Sequence, residues 1–113
     1  MTATALCGSD LHLYRGLERP EAGFILGHEL VGLVHAVGEK ASATFAVGDR
    51  VVSPFTTSCA SCWYCKRGLT SRCDESRLFG SPKLDGCQAG YVRVPLGGAS
   101  VSGARSDAQL SVT

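Results

Sequence analysis

Four of the chain's six cysteines fall in the single stretch CASCWYCKRGLTSRC, residues 59–73. Their spacing is C-x2-C-x2-C-x7-C, at Cys59, Cys62, Cys65 and Cys73. A tetrahedral zinc site needs four thiolates converging at about 2.3 Å from the metal. A C-x2-C step lets two sulfurs face one ion across a tight turn, two such steps overlap here, and the longer loop returns the fourth. Four thiolates on one Zn(II) leave a formal charge of about −2, which Lys66, Arg67 and Arg72 in the same loop can moderate. With every position filled by protein no place is left for water or substrate, so the reading is a structural zinc site. Two disulfides, four unrelated buried cysteines and an iron–sulfur cluster use the same residues differently. A redox pair from one C-x-x-C step lacks the strand–helix context it needs.

A second set lies upstream, in CGSDLH (7–12) and GHELVG (27–32). Cys7 offers a thiolate and His28 an imidazole, and Glu29 offers either a third ligand or a nearby base. Asp10 suits the far nitrogen of His28, the usual support for a ligating imidazole. Ser9 and His12 supply a hydroxyl and an imidazole, the parts of a proton relay. On residue types alone the bland reading stands beside this one: a lone cysteine in an apolar strand as core, a lone histidine as a satisfied surface or core group.

These residues must be positioned by short elements. Fourteen glycines with β-branched runs between them point to an all-β domain. TATALC (2–7) predicts a strand, and SDLHLYRG (9–16) a helical turn capped by Ser9 or Asp10 and left through Gly16. ELVGLVHAVG (29–38), apolar on both faces, predicts a buried barrel strand in which Gly32 marks a bend or close backbone approach. VGDRVVSPF (47–55) predicts a turn feeding a strand, the cysteine stretch a loop or lobe, and GYVRVP (90–95) a short strand closed by Pro95. GGASVSGARSDAQLSVT (97–113), rich in Gly, Ser and Ala, is expected to be a poorly ordered tail after a domain spanning 1–96.

Composition narrows the partners. At 113 residues there is enough chain for one domain. Eleven Lys and Arg against ten Asp and Glu give no electrostatic case for nucleic acid or an acidic membrane. No apolar run approaches the roughly 20 residues of a membrane helix, and the start, MTATALCGSD, does not read as a signal peptide. The expectation is a cytoplasmic protein, in a reducing setting where disulfides do not persist.

GHELVGLVHAVGEKA (27–41) resembles the zinc signature of the medium-chain alcohol dehydrogenases: Gly-His-Glu, two residues, Gly, five residues, Gly. CGSDLH resembles that family's first catalytic ligand segment, VGDRV (47–51) its turn, the 59–73 stretch its four-cysteine structural lobe, and DGCQAGYVRVP (85–95) the strand after it. The resemblance implies a mainly β, GroES-like β-barrel with short helices and a zinc-binding lobe. It implies that Cys7 and His28 bind a catalytic zinc with Glu29 as a close or alternating ligand. It implies further that Ser9 and His12 pass the alcohol proton to solvent and that Asp10 orients His28. The implied reaction is reversible oxidation of a small-molecule alcohol or polyol to a carbonyl, with NAD(P) accepting the hydride.

The match has limits. The family places a dinucleotide-binding domain after the barrel, and its G-x-G-x-x-G turn is absent from these residues; GGASVSG (97–103) lacks the spacing. Gly90 stands where an acidic residue is common in the family pattern, and Cys87 sits where that pattern puts no ligand, so it is expected to be a buried or free thiol. The chain reads as a fragment truncated at both ends, with an unpaired sheet edge as one consequence. It is expected to be inactive alone, the alternative being a zinc-binding module with no turnover. Substrate identity, the choice of NAD or NADP and oligomeric state are not written in these residues.

Overall fold

The computed structural model describes residues 1–17 and 23–103. Its centre is a four-stranded antiparallel sheet in the order β1-β2-β3-β4, formed by Ala3–Thr4, Leu30–Leu33, Arg50–Ser53 and Ser102–Gly103. The pairing register sets Ala3 opposite Val31, Leu30 opposite Ser53, Gly32 opposite Val51, and Val51 opposite Gly103. Side chains alternate across a strand, so Leu30 and Val51 turn inward while Leu33 is about half exposed, at 53%. The strand expected over 29–38 is thus shorter than its apolar run and buried on one face. Gly32 marks no unusual approach: a Cβ there would stand 3.4 Å from the Met1 sulfur, an ordinary contact. Beyond β2 the chain turns back through paired hydrogen bonds, Val34 N to Asp49 O (2.9 Å) and Gly48 N to Val34 O (2.8 Å). Gly48, at φ +94°, supplies the backbone that the VGDRV turn requires.

Helix α1 covers Gly8–Tyr14. Its N-cap is Cys7 rather than Ser9 or Asp10. Asp10 sits at the third helical position and accepts a 2.9 Å hydrogen bond from the Cys7 N–H, the carboxylate half of a capping box. Gly16, at φ +71°, gives the left-handed exit that the sequence predicts.

Two outcomes differ from the sequence reading. No strand forms over 90–95: β2 is flanked by β1 and β3, and β3 by β2 and β4, so GYVRVP finds no free central edge. Tyr91 instead stacks on His35 with ring centroids 4.9 Å apart. Val92, Val94 and Pro95, with Leu30 and Val51, border a cavity of about 1030 Å³. Residues 97–103, read from composition as tail, form helix α2 (Gly97–Ser100) and strand β4. Composition misleads there because Ser100 is 5% exposed and fully used: it accepts from Ser58 N at 2.8 Å and donates to Ser58 O at 3.1 Å. The expected tail over 104–113 lies outside the described residues.

The cysteine stretch is a lobe on a narrow stem. Thr56 bridges Leu78, Thr57 N donates to Arg77 O at 3.0 Å, and Phe79 N donates to Phe55 O at 3.1 Å. Phe79 and Thr57 at this stem are completely buried. The molecule is mainly β with short helices, as expected, and the described part of it holds no helix long and apolar enough to cross a membrane.

Candidate metal centres

Two single-turn helices, Cys65–Arg67 and Thr70–Arg72, fold the lobe so that its cysteines face one point. The turn between them passes through Gly68 at φ +75°, a conformation glycine adopts without strain. The four Sγ atoms of Cys59, Cys62, Cys65 and Cys73 all lie within 4.8 Å of one another. A tetrahedron with bonds of about 2.3 Å has edges of about 3.8 Å, so the four sulfurs span what one zinc ion would close. All six cysteines are free thiols, and the four lobe sulfurs converge as one group rather than as two pairs.

The lobe is also wired for thiolates. Cys59 Sγ accepts from Ser61 Oγ (3.3 Å), Ser61 N (3.4 Å) and Cys62 N (3.3 Å). Cys73 Sγ accepts from Cys59 N at 3.2 Å, and Cys62 Sγ from Cys65 N at 3.5 Å. The Ser61 hydroxyl, then the Ser61 and Cys62 N–H groups, lower the Cys59 thiol from 9.0 to about 6. The N–H groups of Cys65 and Asp74 lower Cys62 as well. Cys65 goes the other way, to about 12, through burial and then the neighbouring thiols of Cys62 and Cys73. Sulfurs this close cannot all ionise unaided, and a dication is the partner that lets them. Arg67 does not reach the sulfurs; it lies 3.8 Å over the Trp63 ring and donates to Trp63 O at 3.2 Å.

The second group joins the N-terminus of α1 to the start of β2. The donor atoms of Cys7, His28 and Glu29 lie within 4.8 Å of one another. Thiolate, imidazole and carboxylate are the three side-chain ligands zinc accepts, and three protein ligands leave one tetrahedral position open. His28 Nε2 faces this group, 3.9 Å from Glu29 Oε1 and 3.3 Å from Ser9 Oγ. Its other nitrogen, Nδ1, faces Asp10 Oδ1 at 3.8 Å, beyond hydrogen-bond length. Asp10 is nearly buried, at 6% exposure, and its nearer partners are Cys7 N and Gln88 Nε2, at 2.9 and 3.4 Å. His12 lies three residues beyond Ser9 on α1 and is exposed.

Sequence reasoning missed the segment that supports this group. Gly86 N, Cys87 N and Gln88 N donate to Ile25 O, Gly27 O and Leu26 O at 2.7, 3.0 and 2.9 Å. The approach is so tight that a Cβ on Gly86 would sit 2.3 Å from the Gly27 and Leu26 carbonyl oxygens. Cys87 is fully buried and takes no part in either metal group among the described residues. Its sulfur lies 3.1 Å from Thr4 Oγ1 and donates to the Glu29 carbonyl at 3.4 Å. Gln88 and Asp10 are 78 residues apart in sequence, and no local pattern announces their contact.

The model of the alcohol dehydrogenase GroES-like domain matches residues 1–101. The chain belongs to this family. Zinc-type alcohol dehydrogenase B of Aspergillus flavus is 56% identical over 95 residues, covering 84% of this chain and 22% of that protein. Medium chain reductase/dehydrogenase ucsI of an Acremonium species is 55% identical over 102 residues, covering 89% of this chain and 35% of that protein. Among solved structures, alcohol dehydrogenase TADH from Thermus sp. ATN1 superposes with a TM-score of 0.81 at 40% identity, over 88% of this chain and 30% of that one. A candidate zinc-binding dehydrogenase of Sinorhizobium meliloti 1021 bound to NADP gives 0.69 at 30% identity, over 91% of this chain and 29% of that one. This alcohol dehydrogenase GroES-like chain therefore spans between a fifth and about a third of the relatives it matches. The family match covers both cysteine-bearing regions and gives the GroES-like fold.

Proposed function

We propose that this chain is the zinc-holding part of the catalytic domain of an NAD(P)-linked alcohol or polyol dehydrogenase. The observation that carries this reading is the convergence of Cys7, His28 and Glu29 within 4.8 Å, away from the four-cysteine lobe. A bound zinc at this group supplies Lewis acidity toward an alcohol or carbonyl oxygen. Cys7 and His28 hold it, and Glu29 stands as a close or alternating ligand. Ser9 Oγ, 3.3 Å from His28 Nε2, accepts the substrate hydroxyl proton at the mouth of the group. His12, exposed on the same helix, carries that proton to solvent. Asp10 Oδ1 is placed to steady the far side of the His28 ring. NAD(P) would be the hydride acceptor; the Sinorhizobium meliloti 1021 relative is bound to NADP. The lobe zinc has only a folding role, and a reducing cytoplasm keeps its thiols available.

Metal analysis with two variants tests this. The purified chain should carry one tightly held zinc and a second, looser one. Cys62→Ser should remove the first along with folding, and His28→Ala only the second. A folded chain without zinc would overturn the reading. A second reading, a zinc-holding module without turnover, uses the same two side-chain groups. The 113-residue chain alone is expected to show no NAD(P)-linked alcohol oxidation, and turnover above a metal-stripped control would dismiss the second reading.

A further inference from the structure

The second metal group draws its side chains from two separate segments. Cys7 and Ser9 belong to the start of α1, whereas His28 and Glu29 lie on the segment entering β2. The 85–88 segment touches both. Its backbone is laced to residues 25–27 by three hydrogen bonds of 2.7–3.0 Å, and Asp85 Oδ1 adds a fourth from Ile25 N at 3.0 Å. Gly27, at φ +95°, has its missing side chain replaced by Gln88, whose Cγ occupies the place 2.7 Å from where a Cβ would stand. The Gln88 stem is thereby fixed against the residue preceding His28, and its amide reaches across to α1, 3.4 Å from Asp10 Oδ2. That same carboxylate oxygen accepts the Cys7 N–H.

We infer that Gln88 is a positioning residue for the second metal group: its backbone grips the His28 segment while its amide holds the carboxylate that caps Cys7, fixing the distance between the two ligand carriers. This rests on the function proposed above. Asp10 is nearly buried and needs donors. With the Gln88 amide removed, Asp10 keeps one short hydrogen bond, from Cys7 N, and the helix gains freedom to turn relative to the strand. Outer hydrogen bonds of this kind are worth about 10–100-fold in metal affinity.

The test is a Co(II) titration of the full chain with zinc in the lobe, read from the visible absorption that a thiolate-bound Co(II) gives at Cys7. Gln88→Met keeps the stem and deletes the donor; it should weaken Co(II) binding about tenfold or more. Lobe zinc content and melting temperature should stay as in the unmodified chain. Gln88→Glu, which sets a carboxylate against the Asp10 carboxylate, should weaken Co(II) binding at least as much as Gln88→Met. Unchanged Co(II) affinity in Gln88→Met overturns the inference. So does a parallel loss of lobe zinc and melting temperature, which would make Gln88 a general fold residue, and so does unweakened binding in Gln88→Glu. If the unmodified chain takes up no Co(II) at this group, the proposed function itself falls.

Discussion

At the scale of single residues, the lobe cysteines share a metal-facing position but not a chemistry. Ser61 concentrates its hydroxyl and its N–H on one sulfur, so Cys59 is lowered to about 6 while Cys65 is held near 12. A thiol with a pKa near 6 is largely thiolate at pH 7 and regains its proton only as the pH falls through 6. One near 12 stays protonated throughout that range. In an iodoacetamide pulse at pH 7 given in the interval after chelation and before the lobe unfolds, Cys59 should be alkylated first and Cys65 last. Dropping to pH 5 should slow the labelling of Cys59 about tenfold and leave it ahead of Cys65. Peptide mass spectrometry reads the order, and equal labelling at pH 7 would contradict the assigned role of Ser61. The spacing of the four cysteines was readable in the sequence, because ligands three residues apart announce themselves. The inequality among them was not, since it depends on where one serine's donors point.

At the scale of elements, the local signals were sound and the long-range ones silent. The C-x2-C steps, the VGDRV turn and the glycine exit of α1 are each contained in a few residues, and each appears as read. The cap of α1 shifted to Cys7 because Asp10 folds back onto that N–H instead of capping from its own position. GYVRVP alternates like a strand, yet alternation says nothing of whether a free edge exists. The support of His28 by residues 85–88 depends on glycines at three remote positions, 27, 80 and 86, meeting without side chains. Gly86→Ala is the sharpest test of that crossing. Its Cβ would meet two carbonyl oxygens at 2.3 Å, and backbone cannot step aside as a flexible side chain can. The variant should lose the looser zinc and several kcal/mol of stability, of the order of ~3 kcal/mol for a forced core clash. Denaturant unfolding and metal content together check it; an unperturbed variant would mean that the two segments are not packed this tightly.

At the scale of the whole molecule, a small core is balanced against an ion. The buried apolar side chains are Leu30, Val51, Cys73, Phe79, Leu84 and Cys87, a modest set for the described residues. Net stabilities of small domains are on the order of 10 kcal/mol, and a structural zinc contributes about 10–16 kcal/mol in zinc-finger peptides. The two are comparable, so an ion held by the four cysteines would decide whether the lobe is folded. A strong chelator should lower the circular-dichroism melting temperature by tens of degrees or abolish the transition. An unshifted melt after verified zinc removal would show that packing around Phe79 suffices alone. The GroES-like class, the alcohol dehydrogenase family and the convergence of both side-chain groups were legible from residues 7–12, 27–41 and 59–73. The role of residues 97–103 was not, because a Gly- and Ser-rich composition conceals the one serine that matters.

That serine has a consequence of its own. Ser100 exchanges hydrogen bonds with Ser58 across 42 residues of sequence, and Ser58 adjoins the first lobe ligand. Ser58 Oγ adds a bond to the Ala99 carbonyl at 3.1 Å. A peptide-bond cut anywhere from Leu96 to Ser100 would therefore be felt first at Cys59: one strand of the lobe's stem would lose its latch, and the ion's footing would loosen far from the nick.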